Sequence, residues 1–249
     1  MSEERRVIND MVVLGRGAPD TMHDGRVTIC VAGWSPSLGF IRIYPTRNTS
    51  PLRQWSVVSV PVERNPNDSR PESWKIQGSS AEWDRLDRKI QVLREVRRAE
   101  KLRLVPPLVT GCVASLNDQR KSLGLVHPST IEGYLSDRAD VDTTIQTTLF
   151  GDALPRTKSN YEMQPRLRYR CGNCLLEGGH DQQIIEWGCY EWFRKNPGKE
   201  VQVFDNLQVG NAEWEKYLLV GNQNNHRPSY LVIGVIRWKK DLKPGSDQE

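Results

Sequence analysis

Gly39-Phe40-Ile41-Arg42-Ile43-Tyr44 is the stretch on which the fold turns. Side chains of an extended strand point alternately to opposite faces, so Ile41 and Ile43 share one side while Phe40, Arg42 and Tyr44 share the other. Burying the isoleucines leaves a ring, a guanidinium and a ring opposite them. Either that row faces solvent as a stacking platform, or the sheet is covered on both sides and Phe40 and Tyr44 are core.

Working outward, residues 7–14, 26–32 and 55–62 are similar short β-branched or aromatic runs, separated by Gly, Pro, Asn and Asp. Residues 65–80 carry turn chemistry throughout. The three-and-four spacing of Trp83, Leu86, Ile90, Leu93 and Val96 then predicts a helix over 83–96. Its outer side is rich in Arg and Lys, with acids such as Asp84 placed to pair with Arg88, which reads as a solvated face. A short helix is expected near 110–121 and a strand near 131–135. Residues 136–164, with Asp137, Asp140, Asp142 and Pro155 and few large apolar groups, read as a linker.

Alternation returns sharply at 166–171. Arg166, Arg168 and Arg170 line one face, and Leu167, Tyr169 and Cys171 the other. Like charges in such a row repel unless solvent or an anion stands opposite. A nucleic-acid backbone is one such anion and intramolecular carboxylates are the alternative. A second amphipathic helix is predicted over 182–195, ended by Pro197-Gly198, followed by strands at 217–220 and 230–237 and a tail bearing Lys239, Lys240 and Lys243.

The 249 residues carry 35 basic and 31 acidic side chains, a formal charge of +4, too small by itself to name a partner. No run reaches the length of apolar residues that a membrane helix needs. Eight Trp, seven Tyr and four Phe argue against wholesale disorder. The opening Met1-Ser-Glu-Glu-Arg-Arg lacks a secretory apolar stretch, and five cysteines are too few and odd in number for a disulfide scaffold. A soluble cytoplasmic protein with reduced thiols is expected. Charge is uneven: residues 1–160 hold 23 basic and 19 acidic groups, residues 161–249 twelve of each. Between Arg26 and Gly78, seven basic residues mix with Trp34, Phe40, Tyr44, Trp55 and Trp74, a combination that suits phosphate pairing and base stacking.

Cys171-Gly-Asn-Cys174 is a C-x2-C turn, with His180 six residues after Cys174. Two thiolates on such a turn reach one tetrahedral Zn²⁺, and an imidazole supplies a third ligand. Cys189 is a candidate fourth ligand. A second C-x2-C is absent, so two incidental thiols on a turn remain the alternative. Other motifs fail. Leu14-Gly-Arg-Gly17-Ala-Pro lacks the glycines and lysine of a nucleotide loop. Asp68, Glu72 and Lys75 miss the spacing of a metal-dependent nuclease and are expected to organise the turn through Asx bonds and an Arg70 ion pair. No hydrolase elbow or zincin helix is present.

Arg42-Ile-Tyr44-Pro45, Arg53 with Trp55, and Asp68-x-Arg70-Pro-Glu72-Ser, followed by Ser122-Leu-Gly-Leu-Val-His-Pro128, Arg168-Tyr-Arg-Cys171, His180 and Ile185-Glu-Trp187, occur in an order that resembles uncharacterised prokaryotic dual-OB-domain proteins. The resemblance runs from about Val7 to Trp238, with Glu186 where Asp is expected. It implies two small oligonucleotide-binding-type β-barrels, no established catalytic residue, and components of mobile-element or antiviral gene sets. The expected fold is therefore mainly β with some α, with one OB-like domain over 1–150 and another over 151–249. The expected function is a non-enzymatic module for single-stranded or structured RNA or DNA, acting with protein partners in a larger complex. Arg42, Tyr44, Arg47, Arg53 and Arg70 in the first barrel, and Arg166, Arg168 and Arg170 in the second, are the candidate contacts. Cys171, Cys174 and His180 are the candidate zinc ligands. The rival readings are a protein-interaction scaffold and a metal-dependent nuclease or base-modifying enzyme.

Overall fold

The computed structural model describes residues 4–22, 24–141 and 156–240. Strands β1 (Arg5–Arg16), β2 (Asp20–Thr21), β3 (Val27–Ser35), β4 (Gly39–Arg47), β5 (Ser56–Arg64), β6 (Ser73–Ile76) and β7 (Gln91–Glu95) build the first sheet. Its ring order β1-β3-β4-β6-β5 closes through β5–β1 pairing, so five strands form a closed barrel consistent with the OB type. Every ring contact is antiparallel except the short β4–β6 pairing of Arg42 with Ser73 and Ile43 with Trp74. Inside sit Met11, Val13, Ile41, Ile43, Val58 and Val60, as period-two alternation requires. Where β1 passes β3, an added Cβ at Gly33 would lie 2.4 Å from the Val12 carbonyl oxygen, so only glycine permits the approach.

The predicted helix over 83–96 is corrected. Ser80–Lys89 is a 3₁₀ stretch that sets Leu86 and Ile90 into the barrel core, and the chain then extends as β7 along β5. Leu93 points to solvent, and Val96 belongs to a different cluster. Helices α1 (Arg98–Leu104) and α2 (Val113–Asp118) follow.

The second half is not another closed barrel among the described residues. Strands β8 (Leu123–Val126), β12 (Trp214–Asn222) and β13 (Tyr230–Lys239) form one three-stranded sheet, ordered β13-β12-β8. Strands β9 (Pro128–Asp137), β10 (Met163–Cys171) and β11 (His180–Gln183) form another, ordered β11-β10-β9. A core including Leu167, Tyr169, Tyr190, Phe193, Leu218 and Val232 joins them to α3 (Trp187–Lys195) and α4 (Val203–Asn206). A division at residue 150 would separate β8 and β9 from their strand partners, so the sheets of the second half begin near Leu123. The linker expected over 136–164 is confined, since β9 extends to Asp137 and β10 starts at Met163; residues 142–155 lie outside the described residues. The helix predicted from 182 begins at Trp187, because His180–Gln183 pairs with β10.

The two halves share a core. Residues of β1 that point out of the barrel, Val12 and Leu14, pack with Leu123, Leu125, Leu219 and Ile233. No helix among the described residues is long and apolar enough to cross a membrane.

Candidate functional site

Arg42 of β4 lies in the seam between the halves, bonded to Ser122. Ile41 and Ile43 are fully buried in the barrel, as alternation predicts. Arg42 is only 2% exposed, which removes it from any solvent-facing platform. Its Nη2 donates to the Ser122 carbonyl at 3.0 Å and its Nη1 to Ser122 Oγ at 3.3 Å. Glu72 completes the pair by accepting the Ser122 N–H at 3.0 Å and its hydroxyl at 2.8 Å. Arg70 lies beside this clamp. Its Nε and Nη2 donate to the two Asp68 oxygens at 2.8 and 2.5 Å, and its Nη1 to the Asn222 carbonyl at 2.6 Å. Burial pushes the Asp68 carboxyl up, but hydrogen bonds from Arg70 and Ser73 and the Arg70 charge outweigh it and hold the group at about 2. The expected Asx turns are present, Asn67 N–H to Asn65 Oδ1 and Arg70 N–H to Asp68 Oδ1, both at 3.1 Å. Asp68 and Glu72 are thus already bonded to protein groups on opposite sides of the seam.

The other first-half candidates disperse. Tyr44 is half-buried in a cavity of about 370 Å³ that Trp83 also lines. Arg47 bonds the Asp84 carbonyl at 2.9 Å and is paired with Asp84 and Asp87. Arg53 is exposed, with no ion pair among the described residues, and stands near Arg16. Arg16 itself is lowered to about 10 by burial and by the Arg53 charge, and stacks over Trp187 at 4.1 Å.

Arg166, Arg168 and Arg170 do lie together, on the solvent side of β10. Arg166 Nε meets Asp181 Oδ1 and the Tyr134 hydroxyl, both at 2.9 Å. Arg168 reaches the other Asp181 oxygen at 3.3 Å and sits 4.3 Å over the Tyr134 ring. Arg170 is exposed and donates to the Glu177 carbonyl. One carboxylate therefore serves two of these arginines, so the intramolecular counterion foreseen as the alternative is part of the arrangement.

At the end of the same strand the chain gathers Cys112, Cys171, Cys174 and His180, whose ligand atoms all lie within 4.8 Å of one another. His180 Nε2 is 3.2 Å from Cys112 Sγ and 3.4 Å from Cys174 Sγ. A tetrahedron with ordinary Zn–S and Zn–N bonds has edges of roughly 3.6–3.8 Å, so the four atoms need only small adjustments to share one ion. Cys171 closes β10, Cys174 follows on the turn, and His180 opens β11 beside Tyr169. Gly179, at φ +71°, makes that return possible; a side chain there would meet the Tyr169 carbonyl at 2.7 Å. Cys112 arrives from the residue preceding α2. Burial pushes the Cys171 thiol to about 12 and lowers the His180 imidazole. Burial also raises Cys174, but backbone hydrogen bonds from Cys171 and Leu176, with Cys112 and the Arg170 charge, bring it below the usual thiol value. The group can hold a metal ion.

Cys189, the fourth ligand considered from sequence, is excluded by position. It is buried on α3 near Glu186, outside the cluster. Sequence spacing gave no signal for Cys112, which stands 59 residues before Cys171 and reaches it only through the fold.

A family described as a domain of unknown function (DUF8758) matches residues 7–105, the barrel through α1. A comparison with curated proteins finds no match.

Proposed function

We propose that this chain is a non-enzymatic nucleic-acid-binding module, with a structural zinc ion held by Cys112, Cys171, Cys174 and His180. The observation that carries the reading is the junction of two features on β10. The row Arg166, Arg168 and Arg170 runs directly into the four-ligand cluster. A closed Cys₃His set suits a structural rather than a catalytic zinc, because it leaves no open position for water. Bound there, the ion would tie the β10–β11 hairpin to the start of α2 and fix the strand that presents the arginines. The half-buried Tyr134 adds a ring beside two guanidinium groups, the pairing of cation and aromatic that single strands use.

The rival reading, a protein-interaction scaffold, draws on Leu175 and Leu176, which are exposed on the turn of the same hairpin. Filter binding of labelled single-stranded RNA and DNA at two salt concentrations separates the two. Nucleic-acid binding predicts a slope of log K against log salt that grows by about 0.7 per phosphate contact. Absence of binding at low salt for both polymers favours the scaffold.

A further inference from the structure

A second site lies on different elements, at the seam of the two halves. The loop before β5, helix α1, the chain after α4 and the ends of β12 and β13 enclose a cavity of about 570 Å³. Three tryptophans line it, Trp55, Trp214 and Trp238. So do four cations, Arg98, Lys101, Arg237 and Lys239, and no carboxylate is among the lining residues. In a chain whose basic and acidic groups are nearly balanced, that local excess is pronounced. Among the described residues, the acids that bear on these cations lie outside the lining, and the Glu95 charge acts on Lys101. Glu213 stands 3.9 Å from Lys239, and the half-buried Glu186, beside the β13 edge, accepts the Val235 N–H at 2.8 Å.

The rings are held rather than loose. Trp55 has φ +72°, a left-handed conformation that a bulky residue adopts only under constraint. Its N–H donates to the Val13 carbonyl at 2.7 Å and its carbonyl accepts the Val96 N–H at 2.8 Å, so the barrel and the chain leading into α1 fix it from both sides. Lys101 Nζ lies 4.7 Å over its ring. Trp238 is backed by Tyr217 with ring centroids 4.9 Å apart, and Tyr217 stacks in turn on His127, again at 4.9 Å. The cavity thus offers pre-set aromatic faces and a ring of positive charge.

A ligand that uses all of this has a flat aromatic part and an anionic part. Its volume is within the range of small-ligand sites. Inorganic phosphate would leave the indoles unused, and an acidic peptide without rings would do the same. We infer that the cavity binds a nucleoside phosphate, with the base against the indoles and the phosphate among Lys101, Arg98 and Arg237. The ligand is either a free nucleotide or one unit of a strand. The inference stands apart from the zinc-and-arginine reading, because no residue of β9, β10 or β11 lines this cavity.

Equilibrium dialysis and tryptophan fluorescence of the full chain test it with four probes: ribonucleoside 5′-monophosphates, the matching nucleosides, inorganic phosphate, and short single-stranded RNA and DNA. Monophosphates should quench fluorescence and bind at least tenfold more tightly than nucleosides or phosphate alone. Lys101→Gln and Trp238→Leu should each weaken binding at least tenfold; Lys101 is only partly buried, so its substitution leaves the fold intact. If a strand is the ligand, the oligonucleotide binds at least tenfold more tightly than the monomer and loses that advantage in Lys101→Gln. If a free nucleotide is the ligand, monomer and oligonucleotide bind alike once the hairpin contacts are removed by Arg168→Glu/Arg170→Glu. Arg168→Glu/Arg170→Glu should leave mononucleotide binding unchanged, which distinguishes failure here from failure of the hairpin reading. Absence of binding by monomers and oligonucleotides, or unchanged affinity in Lys101→Gln and Trp238→Leu, overturns the inference.

Discussion

Replacing Arg70 by Met tests whether the residue clamps the seam or contacts a ligand. Both Asp68 oxygens lie at 2.5–2.8 Å from its guanidinium, and the side chains are 4% and 7% exposed. Removing the cation leaves the buried carboxylate with the Ser73 hydroxyl and one backbone N–H. Breaking one member of a buried pair costs about 3–5 kcal/mol, because the remaining charge stays desolvated and uncompensated. For a chain of this size that corresponds to a fall in Tm on the order of 10 °C. Asp68→Leu in the same background removes the stranded charge. Its remaining partners, the Ser73 hydroxyl and the Arg70 N–H, then lose one bond each, at about 1 kcal/mol apiece. The double variant should therefore recover at least half the loss, giving an interaction energy of about 2 kcal/mol or more in a double-mutant cycle. Urea denaturation of the four proteins at pH 7 measures it. The deficit of Arg70→Met should also shrink toward pH 3, as the exposed alternative to ion pairing, protonation of Asp68, becomes available. A deficit under about 1 kcal/mol at pH 7, or strictly additive effects, would refute the clamp. Weakened oligonucleotide binding at unchanged stability would return Arg70 to the ligand surface.

Other outcomes follow from the same geometry. Asp68 is depressed to about 2 in the folded chain, so its stabilising contribution is complete above its ordinary value near 4 and is lost as pH falls toward 2; acid titration of stability should show a loss of about 2 kcal/mol from this group across that window. Protein purified without added metal should carry roughly one zinc per chain, and Cys112→Ser should lower zinc occupancy and Tm together, whereas Cys189→Ser should leave zinc content unchanged by mass spectrometry under native conditions. Arg168→Glu/Arg170→Glu should abolish salt-dependent oligonucleotide binding at the hairpin and lower stability by no more than about 1 kcal/mol, since both side chains are exposed and the Arg168–Asp181 pair is at the surface.

The strands were legible because period-two alternation records burial directly, and Ile41 with Ile43, or Leu167 with Tyr169, occupy the cores that this pattern requires. The stretch 83–96 was misread for a physical reason. Leu86 and Ile90 fit a helical stripe, but the same spacing serves a 3₁₀ segment capping a barrel, and the strand that follows is set by pairing with β5. Arg42 and Arg168 look alike in sequence, each a cation flanked by alternating apolar residues. What separates them is cover supplied from far along the chain. Ser122 lies across Arg42, while Arg168 is flanked by residues of its own sheet, Asp181, Glu132 and Tyr134, and stays exposed. Cys171, Cys174 and His180 were legible through their short spacing, and Cys112 was not, since nothing local marks a ligand that arrives by topology.

The buried seam also decides where a ligand can act. OB barrels bind along a sheet face formed by their second and third strands, here β3 and β4. In this chain Arg42, on the outer side of β4, is enclosed by Ser122, and an added side chain at Gly221 would meet its Nη2 at 2.8 Å. The second half therefore occupies ground on which a strand would otherwise lie. Opening it would expose the cluster around Val12, Leu14, Leu219 and Ile233 and leave Arg42, Glu72 and Arg70 without their cross-seam partners. Those costs add, since one is apolar area and the other is desolvated charge. A ligand that bound by prising the halves apart would have to offset both. A ligand that used the β10 arginines or the tryptophan-lined cavity would meet neither, because both surfaces are open with the seam closed. On the proposed reading a ligand would therefore act at the β10 hairpin or in the tryptophan-lined cavity rather than on the β3–β4 face of the barrel.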